Sequence, residues 1–189
     1  MSLPAVFLDR DGVINVDVGY LYRPEDFRFI KGSAEALRII RQKGWKLVVV
    51  TNQSGIARGM YTEQQYLLLD KYMRDRLSEM GVPLDGSYYC PHHPDFGSEK
   101  YRKVCSCRKP KPGMLLEAAR DLDIDLARSY MVGDRKSDLL AGRNAGVEKT
   151  VLVRTGEPVT EEAASEADYV LNNLRELADL IPQVQENRN

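Results

Sequence analysis

Hydrophobic residues along the chain follow two alternating patterns. Short, nearly continuous apolar runs, such as residues 5–8 and 46–50, are typical of strands buried on both faces of a parallel sheet. Other segments repeat apolar residues every three or four positions, which is the spacing of an amphipathic helix. The clearest case comprises Tyr66, Leu69, Met73, Leu77 and Met80. The alternation predicts a doubly wound, Rossmann-like α/β fold, in which helices cover both faces of a parallel sheet.

Local signals indicate where the elements begin and end. Ser33 is expected to cap a helix that Gly44 closes, and Thr62 with Gln65 forms a capping box for a helix that ends at Gly81. The helix that begins at Ser33 is predicted to cover residues 33–43. Three further helices are predicted over residues 113–121, 137–144 and 174–180. The predicted strands cover residues 5–8, 46–50, the Tyr88–Tyr89 pair with its neighbours, 129–132, 149–153 and 169–171.

Length and charge limit the possible classes of protein. A chain of 189 residues without a linker-like segment predicts one domain over residues 1–182 and a polar tail over residues 183–189. The net charge of −1 provides no broad basic surface for nucleic acid. The chain has neither an apolar run that could cross a bilayer nor the pattern of a signal peptide, so we expect a cytoplasmic protein that does not bind membranes. With no interface signal, the expected state is a monomer.

The first chemical motif is Asp9-Arg10-Asp11-Gly12, directly after the first strand. Taken alone, it is adequately explained as an acidic turn, since Asp-Gly is a common turn signal. The chemical interpretation is that Asp9 attacks a phosphoryl group, while Asp11 protonates the leaving alcohol and later activates water.

Three further motifs follow other predicted strands or precede a helix. Thr51-Asn52-Gln53-Ser54-Gly55 suits a phosphate cradle, and Arg108-Lys109-Pro110-Lys111-Pro112 offers positive charge. Gly133-Asp134-Arg135-Lys136-Ser137-Asp138 offers carboxylates for Mg²⁺. Each has a plain alternative: a polar turn, a solvated basic stretch or a helix cap. Together they supply a lysine and the ligands of a metal cation, and an anionic nucleophile needs such a cation to approach a phosphate.

The ordered set of motifs resembles the haloacid dehalogenase superfamily of phosphotransferases, over nearly the whole chain. The resemblance implies that Asp9 is the nucleophile and Asp11 the general acid/base. Thr51 and Lys109, the first lysine of the K-P-x-P motif, would stabilise the transferring phosphoryl group.

The same resemblance implies a magnesium site. Asp9, the backbone carbonyl of Asp11 and Asp134 would hold Mg²⁺, and Asp138 would lie behind these ligands. Many members of the superfamily carry a large cap domain between motifs. Here Thr51 lies 42 residues after Asp9 (51 − 9) and Lys109 lies 58 after Thr51 (109 − 51), and predicted elements fill most of both intervals. We therefore expect a capless member with an open site shaped by its loops.

All cysteines and histidines of the chain lie between Cys90 and Cys107. A mixture of thiolate and imidazole ligands suits tetrahedral Zn²⁺, and buried apolar cysteines would not explain five such residues in eighteen positions of a polar loop. The expected ligands of a structural zinc ion are Cys90, His92, Cys105 and Cys107, with His93 as the alternative histidine. The ion would hold together a loop over about residues 90–108, which runs directly into Lys109.

Within the superfamily, the chain resembles the bacterial heptose 1,7-bisphosphate 7-phosphatases. The matching stretches are F-L-D-R-D-G-V-I-N, V-x-x-G-Y, V-V-V-T-N-Q-S-G-I-A-R-G, Y-Y-C-P-H-H-P, C-R-K-P-K-P-G-M-L and Y-M-V-G-D. This resemblance implies a phosphorylated sugar substrate and a place in cell-envelope precursor synthesis. The implied substrate-binding residues are Asp17, Gly19, Tyr20, Asn52, Gln53, Ser54 and Arg108. Arg108 suits a second phosphate, since a guanidinium binds phosphate in a bidentate manner.

Two alternative functions stay open at this point. Histidinol-phosphate phosphatases share the core motifs and a similar zinc loop. A non-catalytic zinc module that binds a partner belongs to a different class, but it leaves the Asp9, Asp11 and Lys109 set unexplained.

Overall fold

Six parallel strands form one sheet in the computed structural model, which describes residues 2–185. The strands are β1 Ala5–Leu8, β2 Lys46–Asn52, β3 Gly86–Cys90, β4 Tyr130–Gly133, β5 Lys149–Val153 and β6 Tyr169–Leu171. Their spatial order is β3-β2-β1-β4-β5-β6, and every neighbouring pair is parallel. Residues 183–185 of the predicted tail have no helix or strand, and residues 186–189 lie outside the described residues.

Helices cover both faces of this sheet. They are α1 Ser33–Gln42, α2 Glu63–Glu79, α3 Gly113–Asp121, α4 Lys136–Ala145, α5 Glu161–Ser165 and α6 Leu174–Leu180, with short 3-10 turns at Pro24–Asp26 and Leu126–Arg128. Helices α1, α2 and α6 pack on the face that carries Val6 and Leu8 of β1. Helices α3 and α4 pack on the opposite face, which carries Ala5 and Phe7. Because both faces of β1 are buried, its sequence is apolar without interruption. The predicted doubly wound fold is confirmed.

The strand order places a ligand site next to β1. Strand β1 pairs with β2 on one side and with β4 on the other. The strands before and after this point are therefore added to the sheet in opposite directions. Ligands of open parallel sheets bind beyond the carboxyl ends of strands where such a reversal occurs. Asp9 follows β1 and Asp134 follows β4, at this edge.

Local predictions were confirmed at some boundaries and wrong at others. The capping box is present: the Thr62 side chain accepts from the backbone N–H of Gln65, and the Gln65 side chain accepts from that of Thr62. Ser33 is not the cap of α1. Gly32 occupies that position with a φ of 82°, and the Ser33 hydroxyl instead donates to the Ile14 carbonyl. Left-handed backbone at the start of α1 suits glycine, whereas serine caps through extended backbone.

Other differences concern helix and strand ends. The apolar stripe of α2 is buried from Tyr66 to Leu77, but Met80 lies beyond the helix and is exposed. The strand expected over residues 129–132 is Tyr130–Gly133, and the helix expected over 137–144 is Lys136–Ala145. Helix α5 was not predicted, because its five residues show too little of the helical repeat. No helix in the described part of the chain is both long and apolar enough to cross a membrane.

Adjacent leucines of α2 provide a test of this packing. Leu69 is fully buried against the sheet, whereas Leu68 is 59% exposed. We expect Leu69→Ala to lower the free energy of unfolding by about 2–5 kcal/mol, because it leaves a cavity. The matched control Leu68→Ala should change it by less than about 0.5 kcal/mol. Urea denaturation measures both values, and similar losses in the two variants would contradict the placement of α2.

Candidate active site and metal centres

Three buried carboxylates meet at the carboxyl ends of β1 and β4. The backbone N–H of Asp9 donates to the Val132 carbonyl at 2.9 Å, which fixes the first residue after β1 against β4. Asp9, Asp134 and Asp138 each offer an oxygen, and these three oxygens lie within 4.8 Å of one another. Asp138 belongs to α4, and its Oδ2 accepts from the Arg135 N–H at the start of that helix. The strand-end placement predicted from the sequence is therefore present.

Lys109 is the cation that pairs with this cluster. Its Nζ donates to Asp9 Oδ1 and the Val50 carbonyl, each at 2.8 Å, and forms an ion pair with Asp138 Oδ1 at 2.6 Å. Burial would lower the pKa of Lys109, but Asp138 and Asp9 outweigh that effect and raise it. The lysine is therefore charged. Asn52 fixes its backbone: Oδ1 accepts from the Lys109 N–H, and Nδ2 donates to the Lys109 carbonyl.

One lysine does not neutralise three buried carboxylates. Burial raises the pKa of Asp9 to about 7 although Lys109 opposes it, and burial with the nearby Asp138 raises that of Asp134 to about 6. Asp134 Oδ1 is buried and has no hydrogen-bond partner among the residues that the structure describes. Such an oxygen is costly unless it ligates a cation. The carboxylate set therefore fits a divalent ion such as Mg²⁺.

Two glycines make room for Asp134. Gly12 has a φ of 82°, and a Cβ there would overlap the Asp134 carboxylate. A Cβ on Gly156, in the segment after β5, would overlap the same carboxylate. The Glu157 N–H donates to Asp134 Oδ2 at 2.9 Å. The Asp9-Arg10-Asp11-Gly12 motif therefore needs glycine at its end because of a tertiary contact as well as its backbone conformation.

Asp11 lies in a different electrostatic setting from Asp9. The buried Arg10 guanidinium donates to both carboxylate oxygens, and Asn15 donates to Oδ1 at 2.9 Å. Gln53 Nε2 donates to Oδ2 at 3.3 Å. Burial by itself would raise the pKa of Asp11, but Arg10, Asn15 and Gln53 outweigh it and lower the pKa below its usual value. The Asp11 carboxylate is thus held in place by donors from three residues.

The catalytic and substrate-binding residues predicted from the sequence line one cleft of about 350 Å³. They are Asp9, Asp11, Asp17, Gly19, Tyr20, Thr51, Asn52, Gln53, Ser54, Arg108 and Lys109. Thr51 is almost fully buried and accepts from Gln53 Nε2, whereas Tyr20 is exposed at the rim with a φ of 47°. The side chains of Asn52 and Gln53 are partly engaged by Lys109, Asp11 and Thr51.

Five further residues line the same cleft and were not singled out from the sequence: Leu21, Arg58, Tyr61, Arg135 and Ser137. Arg135 and Ser137 lie inside the Gly133–Asp138 motif, so their position offered a signal. Arg135 joins two loops at the rim, since NH2 donates to Asp17 at 3.2 Å and to Glu157 at 2.8 Å. Arg58 and Tyr61 lie beyond the phosphate-cradle motif, and no local pattern indicates that they face the cleft.

A second candidate metal site lies beside the cleft. Ligand atoms of Cys90, His92, Cys105 and Cys107 all lie within 4.8 Å of one another. The Sγ–Sγ distances are 3.0–3.5 Å, longer than a disulfide bond and shorter than the ~3.8 Å that tetrahedral Zn–S geometry implies. The contact between Cys90 and Cys107 lowers the pKa of the Cys107 thiol to about 5 and raises that of Cys90. The set fits zinc.

His92, not His93, belongs to this cysteine cluster. His92 Nδ1 lies 3.4 Å from Cys107 Sγ. His93 instead accepts from the Asp95 N–H through Nδ1, and its Nε2 lies 3.1 Å from Arg58, which also stacks on Phe96. The loop reaches the cleft through Arg108, whose NH1 donates to the His92 carbonyl at 3.2 Å.

A strand-end carboxylate cluster with a buried lysine, on this strand order, defines the hydrolase class of the haloacid dehalogenase superfamily. Residues 106–177 match the family model described as HAD-hydrolase-like. A protein of Escherichia coli K12 named D-glycero-beta-D-manno-heptose-1,7-bisphosphate 7-phosphatase is 54% identical over 184 residues, which is 97% of this chain and 96% of that protein. The Yersinia pestis protein of the same name is 53% identical over 180 residues, 95% and 96% of the two chains. The chain belongs to this family of heptose bisphosphate phosphatases.

Solved structures agree with this assignment. The D,D-heptose 1,7-bisphosphate phosphatase of B. bronchiseptica, determined with magnesium and phosphate, is 34% identical. It superposes with a TM-score of 0.80 over 94% of this chain and 97% of that one. A HAD-like phosphatase from Mesorhizobium loti, 35% identical, superposes with a TM-score of 0.82 over 99% and 90%.

The unbalanced carboxylate cluster predicts that a divalent cation stabilises the folded chain. Mg²⁺ at 100 times its Kd should raise the free energy of unfolding by about 2.7 kcal/mol, because the ion binds only the folded state. Asp134→Asn should remove most of this gain, whereas Asp75→Asn, in an exposed pair with Lys71, should retain it. Urea denaturation after chelation, with and without Mg²⁺, measures the gain. An undiminished gain in Asp134→Asn would exclude this site.

Proposed function

We propose that this chain removes the 7-phosphate of D-glycero-D-manno-heptose 1,7-bisphosphate by way of an aspartyl phosphate and releases heptose 1-phosphate. The observation that carries the proposal is the buried Asp9, paired with Lys109 beside two further carboxylates. The substrate is inferred from relatives at 53–54% identity that bear this name.

The proposed reaction gives Asp9 and Asp11 separate steps. An Asp9 carboxylate oxygen attacks the phosphorus atom, and the bond from phosphorus to the sugar oxygen breaks. Asp11, whose neighbours favour its ionised form, first takes up a proton from solvent and then donates it to that departing oxygen. Asp11 then takes a proton from water, which attacks the aspartyl phosphate and releases inorganic phosphate with Asp9 restored. Thr51 and Lys109 contact the phosphoryl group and stabilise its charge, in the low-dielectric setting that their burial provides.

Mg²⁺ would be held by Asp9, the backbone carbonyl of Asp11 and Asp134, with Asp138 adjacent to these ligands. When bound, the ion shields the negative charges of nucleophile and phosphate from each other. Asp138 keeps Lys109 charged and fixed beside the nucleophile. These separate roles would account for an Asp138 carboxylate that contacts the lysine and an Asp134 oxygen that has no hydrogen-bond partner among the described residues.

Substrate recognition is proposed for the loops that surround the cleft. Arg108 would bind the second phosphate, because a guanidinium can donate two parallel hydrogen bonds to it. Asp17, Gly19 and Tyr20 would contact the sugar from one side, and Asn52, Gln53 and Ser54 from the other. The Arg135–Asp17 ion pair would hold the first of these loops in place.

A structural zinc ion at Cys90, His92, Cys105 and Cys107 would order the loop that leads into Arg108 and Lys109. With four protein ligands, the ion has no open position for chemistry. Thiolate ligands require reduced cysteines, which supports a cytoplasmic location. All six strands belong to one sheet, which supports a single domain. The monomeric state stays a prediction.

The substrate proposal is tested by phosphate release with Mg²⁺ from heptose 1,7-bisphosphate and histidinol phosphate, side by side. We expect kcat/KM to be much higher for the heptose. Asp9→Asn should lower the rate at least ~10³-fold, because it removes the covalent nucleophile. A preference for histidinol phosphate would keep the chemistry and overturn the substrate. Full activity of Asp9→Asn would overturn the chemistry.

Zinc ligation is tested by paired histidine variants. Purified protein should hold about one zinc per chain, since the four ligand atoms form one site. His92→Ala should lower the zinc content well below that of the wild type, whereas the neighbouring His93→Ala should retain it. Elemental analysis of both proteins gives the answer. Zinc loss in His93→Ala alone would show that the histidines exchange roles.

A further inference from the structure

Tyr61 makes one polar contact at the base of the cleft. It precedes α2, is only 6% exposed, and its hydroxyl donates to Gln53 Oε1 at 2.5 Å. Burial raises the pKa of Tyr61, so the hydroxyl is protonated and able to donate. Its ring lies against Gly55, where a Cβ would overlap it, and stacks on Tyr22 with a centroid distance of 5.6 Å. The hydroxyl is thus held facing Gln53.

The contact with Tyr61 favours one orientation of the Gln53 amide. In that orientation Nε2 donates to Thr51 Oγ1 at 2.9 Å and to Asp11 Oδ2 at 3.3 Å. The reversed amide would place its oxygen against the Asp11 carboxylate, so that two acceptors would face each other. Gln53 is 2% exposed, so water does not readily replace these partners.

Gln53 completes the set of donors around Asp11. Arg10 and Asn15 donate to Oδ1, and Arg10 with Gln53 donates to Oδ2. Loss of the Gln53 donor would allow the carboxylate to rotate on its remaining contacts. Proton transfer to a leaving oxygen depends on hydrogen-bond geometry. The orientation of Asp11 should therefore depend on Tyr61, which does not touch Asp11.

We propose that Tyr61 is a positioning residue that acts through the Gln53 amide to orient the Asp11 carboxylate for protonation of the leaving alcohol. This inference rests on the proposed role of Asp11 as general acid. A role in packing alone is the competing explanation, because Tyr61 belongs to a buried cluster with Ile56 and Tyr66.

Leaving groups distinguish these two roles. An alkyl phosphate, such as the heptose substrate, needs its leaving oxygen protonated, whereas p-nitrophenyl phosphate leaves as a stable phenolate. The ratio kcat/KM reports the steps up to departure of the leaving group and excludes later hydrolysis of the aspartyl phosphate. A misoriented general acid therefore lowers kcat/KM for the alkyl substrate alone. Impaired packing or phosphate binding lowers it for both substrates. A lost sugar contact lowers it for the heptose bisphosphate but not for ethyl phosphate, an alkyl phosphate without a sugar, which a misoriented general acid would slow.

The test measures kcat/KM of Tyr61→Phe with both substrates in saturating Mg²⁺. We expect a loss of about 3–10-fold for the heptose bisphosphate, the scale of one hydrogen bond, and less than about 2-fold for p-nitrophenyl phosphate. Tyr22→Phe is the matched control: it removes a hydroxyl from the stacked ring, whose contact is Arg23 rather than Gln53. It should match the wild type on both substrates.

A second variant tests the route through the amide. Gln53→Met should show the same dependence on the leaving group, and adding Tyr61→Phe to it should cause no further selective loss, because both changes remove one contact. Equal losses of Tyr61→Phe on both substrates, no loss, or full additivity with Gln53→Met would each overturn the proposal. Asp11→Asn tests the proposed general-acid role separately from the proposed role of Tyr61. If it slows both substrates equally, the general-acid role itself fails.

Discussion

The buried ion pairs of Lys109 with Asp9 and Asp138 are the interaction on which the site depends. An unpaired ammonium or carboxylate is very costly at this depth, so each partner stabilises the charge of the others. Lys109 reaches Asp9 across a separation of 100 residues in the chain, and Asn52 fixes its backbone at both N–H and carbonyl. The end of β1, the end of β2 and the start of α4 must therefore be in place together before Asp9 acquires its environment.

The loop over residues 90–108 matters for the site because it leads directly into the same lysine. Cys107 and Lys109 are two residues apart, so an ion held by Cys90, His92, Cys105 and Cys107 would also limit where the lysine backbone can lie. Arg108, between them, donates to the His92 carbonyl and lines the cleft. In this arrangement the structural metal and the chemistry are coupled through two adjacent cations.

The two motif aspartates are separated in function by their surroundings. Asp9 is held by a lysine in a crowded anionic cluster, whereas Asp11 is surrounded by the donors Arg10, Asn15 and Gln53. The first setting suits the nucleophile proposed beside a metal ion, whereas the second fixes the orientation of a carboxylate and favours its ionised form. Two identical side chains, two positions apart in sequence, thus face different neighbours, which is the basis of the different roles proposed for them.

The sequence by itself determined the sheet, the helix stripes and the set of residues proposed to carry the chemistry. Continuous apolar runs identify strands buried on both faces, and polar motifs after β1, β2 and β4 must converge because parallel strands end at one edge. The cysteines and histidines identified a metal centre because their chemistry is recognisable at close spacing. Tertiary structure decided which neighbours individual side chains face. His92 faces the cysteines, whereas His93 faces Arg58. Gly32 rather than Ser33 caps α1. The Tyr61 hydroxyl contacts Gln53. Spacing along a chain does not specify where an individual side chain points in a loop, because no hydrogen-bond repeat or periodic burial constrains the backbone there.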